Sequence, residues 1–259
     1  MDFTRTNLSE SEIAEVTLAR EEEIDVRGLS VLVATPCYGG KVPIDQVSAI
    51  LALQRDLIDT GLGMGYMFEK GNSLIETARN NILKYFLDHT EYNRILLLDD
   101  DVIFNSEDVM KLLALSTKLD LVCGVYPART DNPFKMFLNL PDSGKGVIFN
   151  EYGLLKVEGL GLGFTVATRD CIQRIWDACP DAYDDAKHGP MKRVFKMGIN
   201  EDGHFVGEDI SFFKFAKQCG IDAWCDIDIV LSHVGTKSYT VHPRFLLQET
   251  GIIKRKESE

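Results

Sequence analysis

The stretch Ile95-Leu96-Leu97-Leu98-Asp99-Asp100-Asp101 decides the reading of this chain. Four consecutive aliphatic residues read as a buried strand. Three carboxylates at its exit are not a packing solution. Side chains alternate across a strand, so Asp99 and Asp101 are expected to point to the same side. Two carboxylates held that way repel each other unless a cation sits between them. Oxygen ligation suits a hard divalent ion, Mg²⁺ or Mn²⁺, and such ions usually share their coordination shell with substrate phosphates. The triplet therefore predicts an enzyme that grips a diphosphate through a metal.

Upstream, the β-branched segment from Leu29 to Thr35 predicts the first strand, stopped by the turn Pro36-Cys37-Tyr38-Gly39-Gly40. A helix is expected over about 44–60, with Val47, Ile50, Leu51 and Leu57 as its apolar positions. Gly61 to Gly65 reads as a turn before a short strand, Tyr66 to Lys70. Ser73 and Glu76 have the spacing of a capping box and predict a helix to about Asp88, with Ile75, Ala78, Ile82 and Phe86 on one face. After the triplet, Ser106 is expected to cap a helix to about Ser116, and Asp120 to Val125 to form a fourth strand. This alternation predicts an α/β fold with a mostly parallel sheet, whose ligands sit at the carboxyl ends of strands. The Thr35–Tyr38 turn and the acidic triplet both fall at such ends.

The second half is less regular. Residues 126–158 read as turns and short antiparallel strands. Gly159-Leu160-Gly161-Leu162-Gly163-Phe164 leads into the strand-like Thr165-Val166-Ala167-Thr168. Asp170 is then expected to cap a helix carrying Ile172, Ile175 and Trp176. Residues 180–206 are polar, loop-like and broken by Gly and Pro, the composition of a lid. Gly207-Glu208-Asp209 opens a helix with Phe212, Phe213, Phe215 and Ala216, and Asp222 to His233 reads as two short strands. At the start of the chain, residues 8–24 predict a charged helical extension with a solvated Glu21-Glu22-Glu23 run.

Bulk properties exclude several function classes. A net charge of −12 over 259 residues argues against non-specific nucleic-acid binding, which needs a basic face. Hydrophobic content of 45% and charged content of 26% suit a globular chain with a sizeable core. No apolar run reaches the ~18 residues of a membrane span. The first residues lack the apolar core of a secretory signal, so a cytoplasmic location is expected. Cys37, Cys123, Cys171, Cys179, Cys219 and Cys225 form no close pair and read as buried thiols of a reducing compartment.

Taken in order, Thr35-Pro36-Cys37-Tyr38, Ala78-Arg79-Asn80, Asp99-Asp100-Asp101, Gly161-Leu162-Gly163-Phe164, Glu208-Asp209 and Ser232-His233-Val234-Gly235 resemble the motifs of GT-A glycosyltransferases. The likeness is to a family-2-like phage, viral and bacterial type, and covers about residues 29–240. It implies a GT-A-like, Rossmann-related fold: a mostly parallel central sheet flanked by helices, with a smaller antiparallel C-terminal part. It also implies a helical extension (1–28), one catalytic domain (29–240) with nucleotide-binding (29–125) and acceptor-binding (126–240) halves, and a tail (241–259). The implied activity is metal-dependent transfer of a hexosyl or pentosyl unit from a nucleotide-sugar donor, by default a UDP-sugar, to a hydroxyl of a glycan, protein or modified nucleobase. Mn²⁺ or Mg²⁺ would be held by Asp99, Asp101 and His233. Thr35, Pro36, Tyr38, Arg79, Asp99, Asp100 and Lys237 would hold the donor, and Gly161, Gly163 and Phe164 the acceptor. Asp209, with Glu208 beside it, would be the catalytic acid pair.

The chemistry explains the need for such groups. Charge builds on the departing diphosphate, and a cation that neutralises it supplies several kcal/mol. The attacking hydroxyl must lose a proton, and Asp209 is the candidate base, kept ionised by its helix N-terminus. Arg79 can fork onto the diphosphate or orient the acidic triplet. Lys237 and Tyr239 are placed to close over the donor from the tail. Two readings compete with this one. A haloacid-dehalogenase-like phosphatase also ends a strand in Asp-x-Asp, although on its first strand. A non-catalytic carbohydrate- or nucleotide-binding module would need no base. The glycines of 159–163 lack the spacing of a dinucleotide fingerprint.

Overall fold

The computed structural model describes residues 24–130, 135–141, 147–235 and 237–253. The helix expected over 8–24 and the acidic run at 21–23 therefore fall outside the described residues, apart from Ile24. In chain order the elements are β1 (Ser30–Cys37), α1 (Ile44–Asp59), β2 (Gly63–Lys70), α2 (Ile75–His89), β3 (Arg94–Leu98), β4 (Val102–Ile103), α3 (Ser106–Leu115), β5 (Leu121–Cys123), β6 (Leu138–Asn139), β7 (Leu155–Val157), β8 (Gly159–Leu160), β9 (Phe164–Thr168), α4 (Arg169–Ala178), β10 (Ala182–Asp185), β11 (Gly189–Lys192), β12 (Gly198–Ile199), β13 (Phe205–Val206), α5 (Glu208–Gln218), β14 (Ala223–Cys225), β15 (Ser232–Val234), β16 (Ser238–Thr240) and α6 (Pro243–Glu249).

Seven strands form the central sheet in the order β2-β1-β3-β9-β5-β14-β7. β1 pairs in parallel with β2 and β3, and β5 with β14, whereas β9 and β7 run against their neighbours. Five of the seven strands thus share one direction, the α/β pattern the sequence predicts. Antiparallel pieces (β10–β11, β12–β13, β6–β8 and the β16-β15-β4 ribbon) make up the smaller part.

The aliphatic runs explain the layering. Leu32, Ala34, Ile95 and Leu97 face Ile82 and Phe86 of α2, Ile172 of α4 and Phe212 of α5. The alternate residues Val31, Val33, Leu96 and Leu98 face Ile50, Leu53 and Leu57 of α1 and Val109 and Leu112 of α3. Both faces of β3 are buried, which is why its sequence is a continuous apolar run and not an alternating one. Burying each such side chain stabilises by about 1.5–3 kcal/mol.

Local expectations fail where a distant partner wins. In α1, Leu51 is 59% exposed, and Gln46 is buried in its place. Gln46 Nε2 donates to the carbonyls of Asp99 (2.6 Å) and Val102 (2.9 Å), so a polar residue pins the loop after β3. The Ser73/Glu76 capping box does not form. The N-cap of α2 is Leu74 with no side-chain cap, and Glu76 Oε2 accepts the Met197 N–H at 2.6 Å. Asn105 precedes α3, with Ser106 inside it, and Thr168, not Asp170, caps α4 by accepting the Cys171 N–H at 3.0 Å. β2 starts at Gly63, inside the expected turn, and Gly65 leaves room for the Tyr92 ring: a Cβ there would lie 2.3 Å from its hydroxyl. Two hairpins, β10–β11 and β12–β13, occupy the segment read as loop-like. All six cysteines are free, five of them buried. No helix among the described residues is long and apolar enough to cross a membrane.

Candidate active site

The carboxyl ends of β1, β3 and β5 open onto one place, and β9 begins there because it runs the other way. Asp99 is the first residue past β3. Its N–H donates to the Gly163 carbonyl (3.1 Å), which extends the ladder to the residue before β9. Its Oδ1 accepts from Arg79 Nη2 at 2.7 Å and its Oδ2 from the Tyr126 hydroxyl at 3.1 Å. The same Tyr126 oxygen accepts the Gly163 N–H at 3.1 Å. Two glycines make this closure possible. A Cβ at Gly163 would lie 2.4 Å from Asp99 Oδ2, and one at Gly161 would lie 2.4 Å from the Tyr126 hydroxyl.

Arg79 comes from the second turn of α2 and is only 4% exposed. Its Nη1 donates to Glu208 Oε1 at 2.8 Å, joining residues 129 positions apart. Burial works against the guanidinium charge, but Asp99 and Glu208 outweigh it and hold the Arg79 pKa above its usual value. Burial raises the Glu208 carboxyl, with Arg79 opposing. Burial, then the nearby Asp99, raises the Tyr126 phenol well above its ordinary value. Asp209, next to Glu208, is not taken by Arg79. Its Oδ1 accepts the Ile210 N–H at 2.7 Å.

Asp101, two residues past Asp99, has a different set of partners. His233 sits on β15, which pairs with β4, and the Val234 N–H donates to the Asp101 carbonyl at 2.8 Å. His233 Nε2 faces Asp101 Oδ1 at 3.4 Å. Its Nδ1 lies 2.9 Å from the Pro127 carbonyl, which can only accept, so Nδ1 donates there and Nε2 is the ring nitrogen that faces Asp101. The ring packs edge-on against Tyr126, with centroids 4.9 Å apart. Arg129 Nη1 holds Asp101 Oδ2 at 2.8 Å. Asp100 is part-buried beside the Cys37 thiol, and burial followed by Asp101 raises its pKa.

The structure thus brings Arg79, Asp99 and Glu208 together, and Asp101 and His233 together. It does not assemble Asp99, Asp101 and His233 as a three-ligand set: both Asp99 oxygens accept from protein donors, and no group of three or more metal-ligating side chains stands ready among the described residues. Thr35 is 1% exposed and Pro36 is buried, so neither side chain faces solvent; Thr35 Oγ1 has no hydrogen-bond partner among the described residues. Tyr38 is 65% exposed at the β1 exit. Lys237 Nζ lies 5.1 Å from the centre of the Tyr239 ring, across the strand pair from His233. Phe164 is wholly buried against Phe104 and offers no surface to an acceptor. Tyr126, Arg129 and Gln46 carry no signal in the motifs read from the sequence. Tyr126 and Arg129 follow the exit of β5, and the strand-end rule applied there would have found them.

No protein-family model matches the chain, and no curated protein matches it. Among solved structures, A197 from STIV superposes with a TM-score of 0.52 at 18% identity, over 83% of this chain and 91% of that one. Drosophila β1,4-galactosyltransferase 7 in complex with xylobiose gives 0.43 at 13% identity, over 89% of this chain and 76% of that one. A mutant of that enzyme in complex with manganese, UDP-Gal and xylobiose gives 0.43 at 13% identity, over 89% and 82%. The likeness to A197 is one of fold. The chain has the α/β architecture with a mostly parallel central sheet that its sequence predicts.

Proposed function

We propose that this chain is a metal-dependent glycosyltransferase that moves a sugar from a nucleotide-diphosphate donor, a UDP-sugar by default, to the hydroxyl of a glycan acceptor. The observation that carries this reading is the Asp99–Arg79–Glu208 link, which fastens the acidic end of β3 to the acidic start of α5. A buried guanidinium shared by two carboxylates from distant elements is a costly arrangement, and a site needing both acids in fixed places accounts for it.

The donor set at Asp101 and His233 fits a divalent cation. An imidazole fixed through Nδ1 presents its Nε2 beside a carboxylate oxygen, two atoms of the kinds that such an ion takes as ligands. Mn²⁺ or Mg²⁺ there would supply neutralisation of the charge that develops on the leaving diphosphate. Diphosphate oxygens and water suit the remaining positions. Asp99 then acts as a positioning residue, locked by Arg79 and Tyr126. Tyr38 would offer its exposed ring to the nucleobase, and Asp100 and Lys237 would complete the donor side. Gly161 and Gly163 shape the acceptor floor through Tyr126 and Asp99. Glu208 is committed to Arg79, so Asp209 is the base that takes the acceptor proton. A phosphatase built on Asp99 would need that carboxylate free to attack, and both its oxygens are engaged.

A panel of nucleotide sugars incubated with Mn²⁺ tests the reading. The expected result is Mn²⁺-dependent release of nucleoside diphosphate from one donor, lost in Asp101→Ala. Release that ignores both the metal and the substitution overturns it.

A further inference from the structure

We infer that Arg129 is the resident counter-charge of Asp101 and is handed to the donor diphosphate when a divalent cation takes its place. This rests on the proposed function and adds a residue to it. Asp101 divides its oxygens between two partners: Oδ1 faces His233 Nε2 at 3.4 Å and Oδ2 accepts from Arg129 Nη1 at 2.8 Å. While that pair stands, Asp101 cannot turn both oxygens to a cation. The two arginines of the site differ in kind. The Arg79 side chain is 5% exposed and held by two carboxylates, whereas that of Arg129 is 49% exposed and held at its tip, with a long 3.5 Å contact to the Val234 carbonyl. Its stem runs over Gly235, where a Cβ would come within 3.1 Å of Arg129 Cδ. The glycine leaves the stem room, and the exposure leaves the head a way out.

The segment that carries Arg129 also anchors the imidazole. Arg129 stands two residues after Pro127, whose carbonyl orients His233, so one short segment past β5 carries both the guanidinium and the imidazole anchor. A guanidinium released from Asp101 stays beside the cation and keeps the planar fork that matches phosphate oxygens. Each ligand then helps the other: a diphosphate that draws Arg129 away frees Asp101 for the cation, and by linkage the cation favours the diphosphate equally.

Titration calorimetry with MnCl₂ and with UDP, at low ionic strength, tests this without turnover. Arg129→Ala is expected to bind Mn²⁺ alone about fivefold more tightly, since a part-exposed ion pair no longer competes. It is expected to bind UDP in the presence of Mn²⁺ about tenfold more weakly, because a charge-assisted contact is lost. Arg129→Lys should fall between the two, and an unchanged melting temperature would show that the fold is intact. If the parent binds both ligands and Arg129→Ala binds both identically, this inference fails and the proposed function stands. If the parent binds neither, the metal reading and the inference fall together.

Discussion

At 4% exposure Arg79 keeps its charge inside the protein only because Asp99 and Glu208 flank it. Removing the guanidinium leaves two carboxylates part-buried and facing each other. Arg79→Ala is therefore expected to lower stability by about 3–5 kcal/mol, read as a fall in the urea midpoint, and to abolish transfer. Arg79→Lys keeps a charge but has no fork to span both acids, so it should recover part of the stability and little of the activity. A variant as stable as the parent would mean that the two carboxylates find other partners. The sequence offers Arg79 either to a diphosphate or to the acidic triplet, and the structure pairs it with Asp99. The sequence does not make Glu208 legible as its second partner. That contact spans 129 positions and exists only once α5 has docked on the sheet.

At the scale of elements, helix ends are the least legible feature, and the reason is competition. Ser73 and Glu76 have the right spacing for a local cap, yet Glu76 accepts the Met197 N–H and lies 3.5 Å from Arg193. A partner on a distant segment outbids the reciprocal bond to the helix start. In α1, period alone picks out the apolar positions, and Leu51 falls just outside the buried arc that Ile50, Leu53 and Leu57 occupy. In α3, Asp108 sits in the first turn, where helix dipoles favour a carboxylate. Burial nevertheless raises its pKa above 3.8, against Lys111 and the Asn105 backbone, with Asp226 adding to the rise. The folded state therefore holds this proton more tightly than the unfolded chain does. The stability this gives is fully present below pH 3.8 and lost as pH rises through the raised value. Asp108→Asn is accordingly expected to be more stable than the parent at neutral pH, with the difference fading on acidification. Urea titrations across that range check it, and a difference independent of pH would exclude the ionisation of Asp108 as its cause.

For the molecule as a whole, the first half is legible because its signals are local: aliphatic runs, the helices between them and polar turns at strand exits. The central place of β9 is not, because Phe164–Thr168 reads as one more short apolar strand and its antiparallel insertion between β3 and β5 is a tertiary event. That insertion brings Gly161 and Gly163 against Tyr126 and Asp99, so the proposed donor and acceptor sides share a single sheet. The two sides should therefore be separable by mutation. Asp209 faces the acceptor in the proposed function and is not part of the Arg79 link, so Asp209→Asn should lose about 10²- to 10⁴-fold in turnover while binding UDP and Mn²⁺ as the parent does. A ligand at 100 times its Kd stabilises by about 2.7 kcal/mol, which for a chain of this length raises Tm by roughly 2–4 °C per kcal/mol. Parent and Asp209→Asn should show the same rise with UDP and Mn²⁺. A rise lost along with turnover would move Asp209 to the donor side and leave the acceptor hydroxyl without its base.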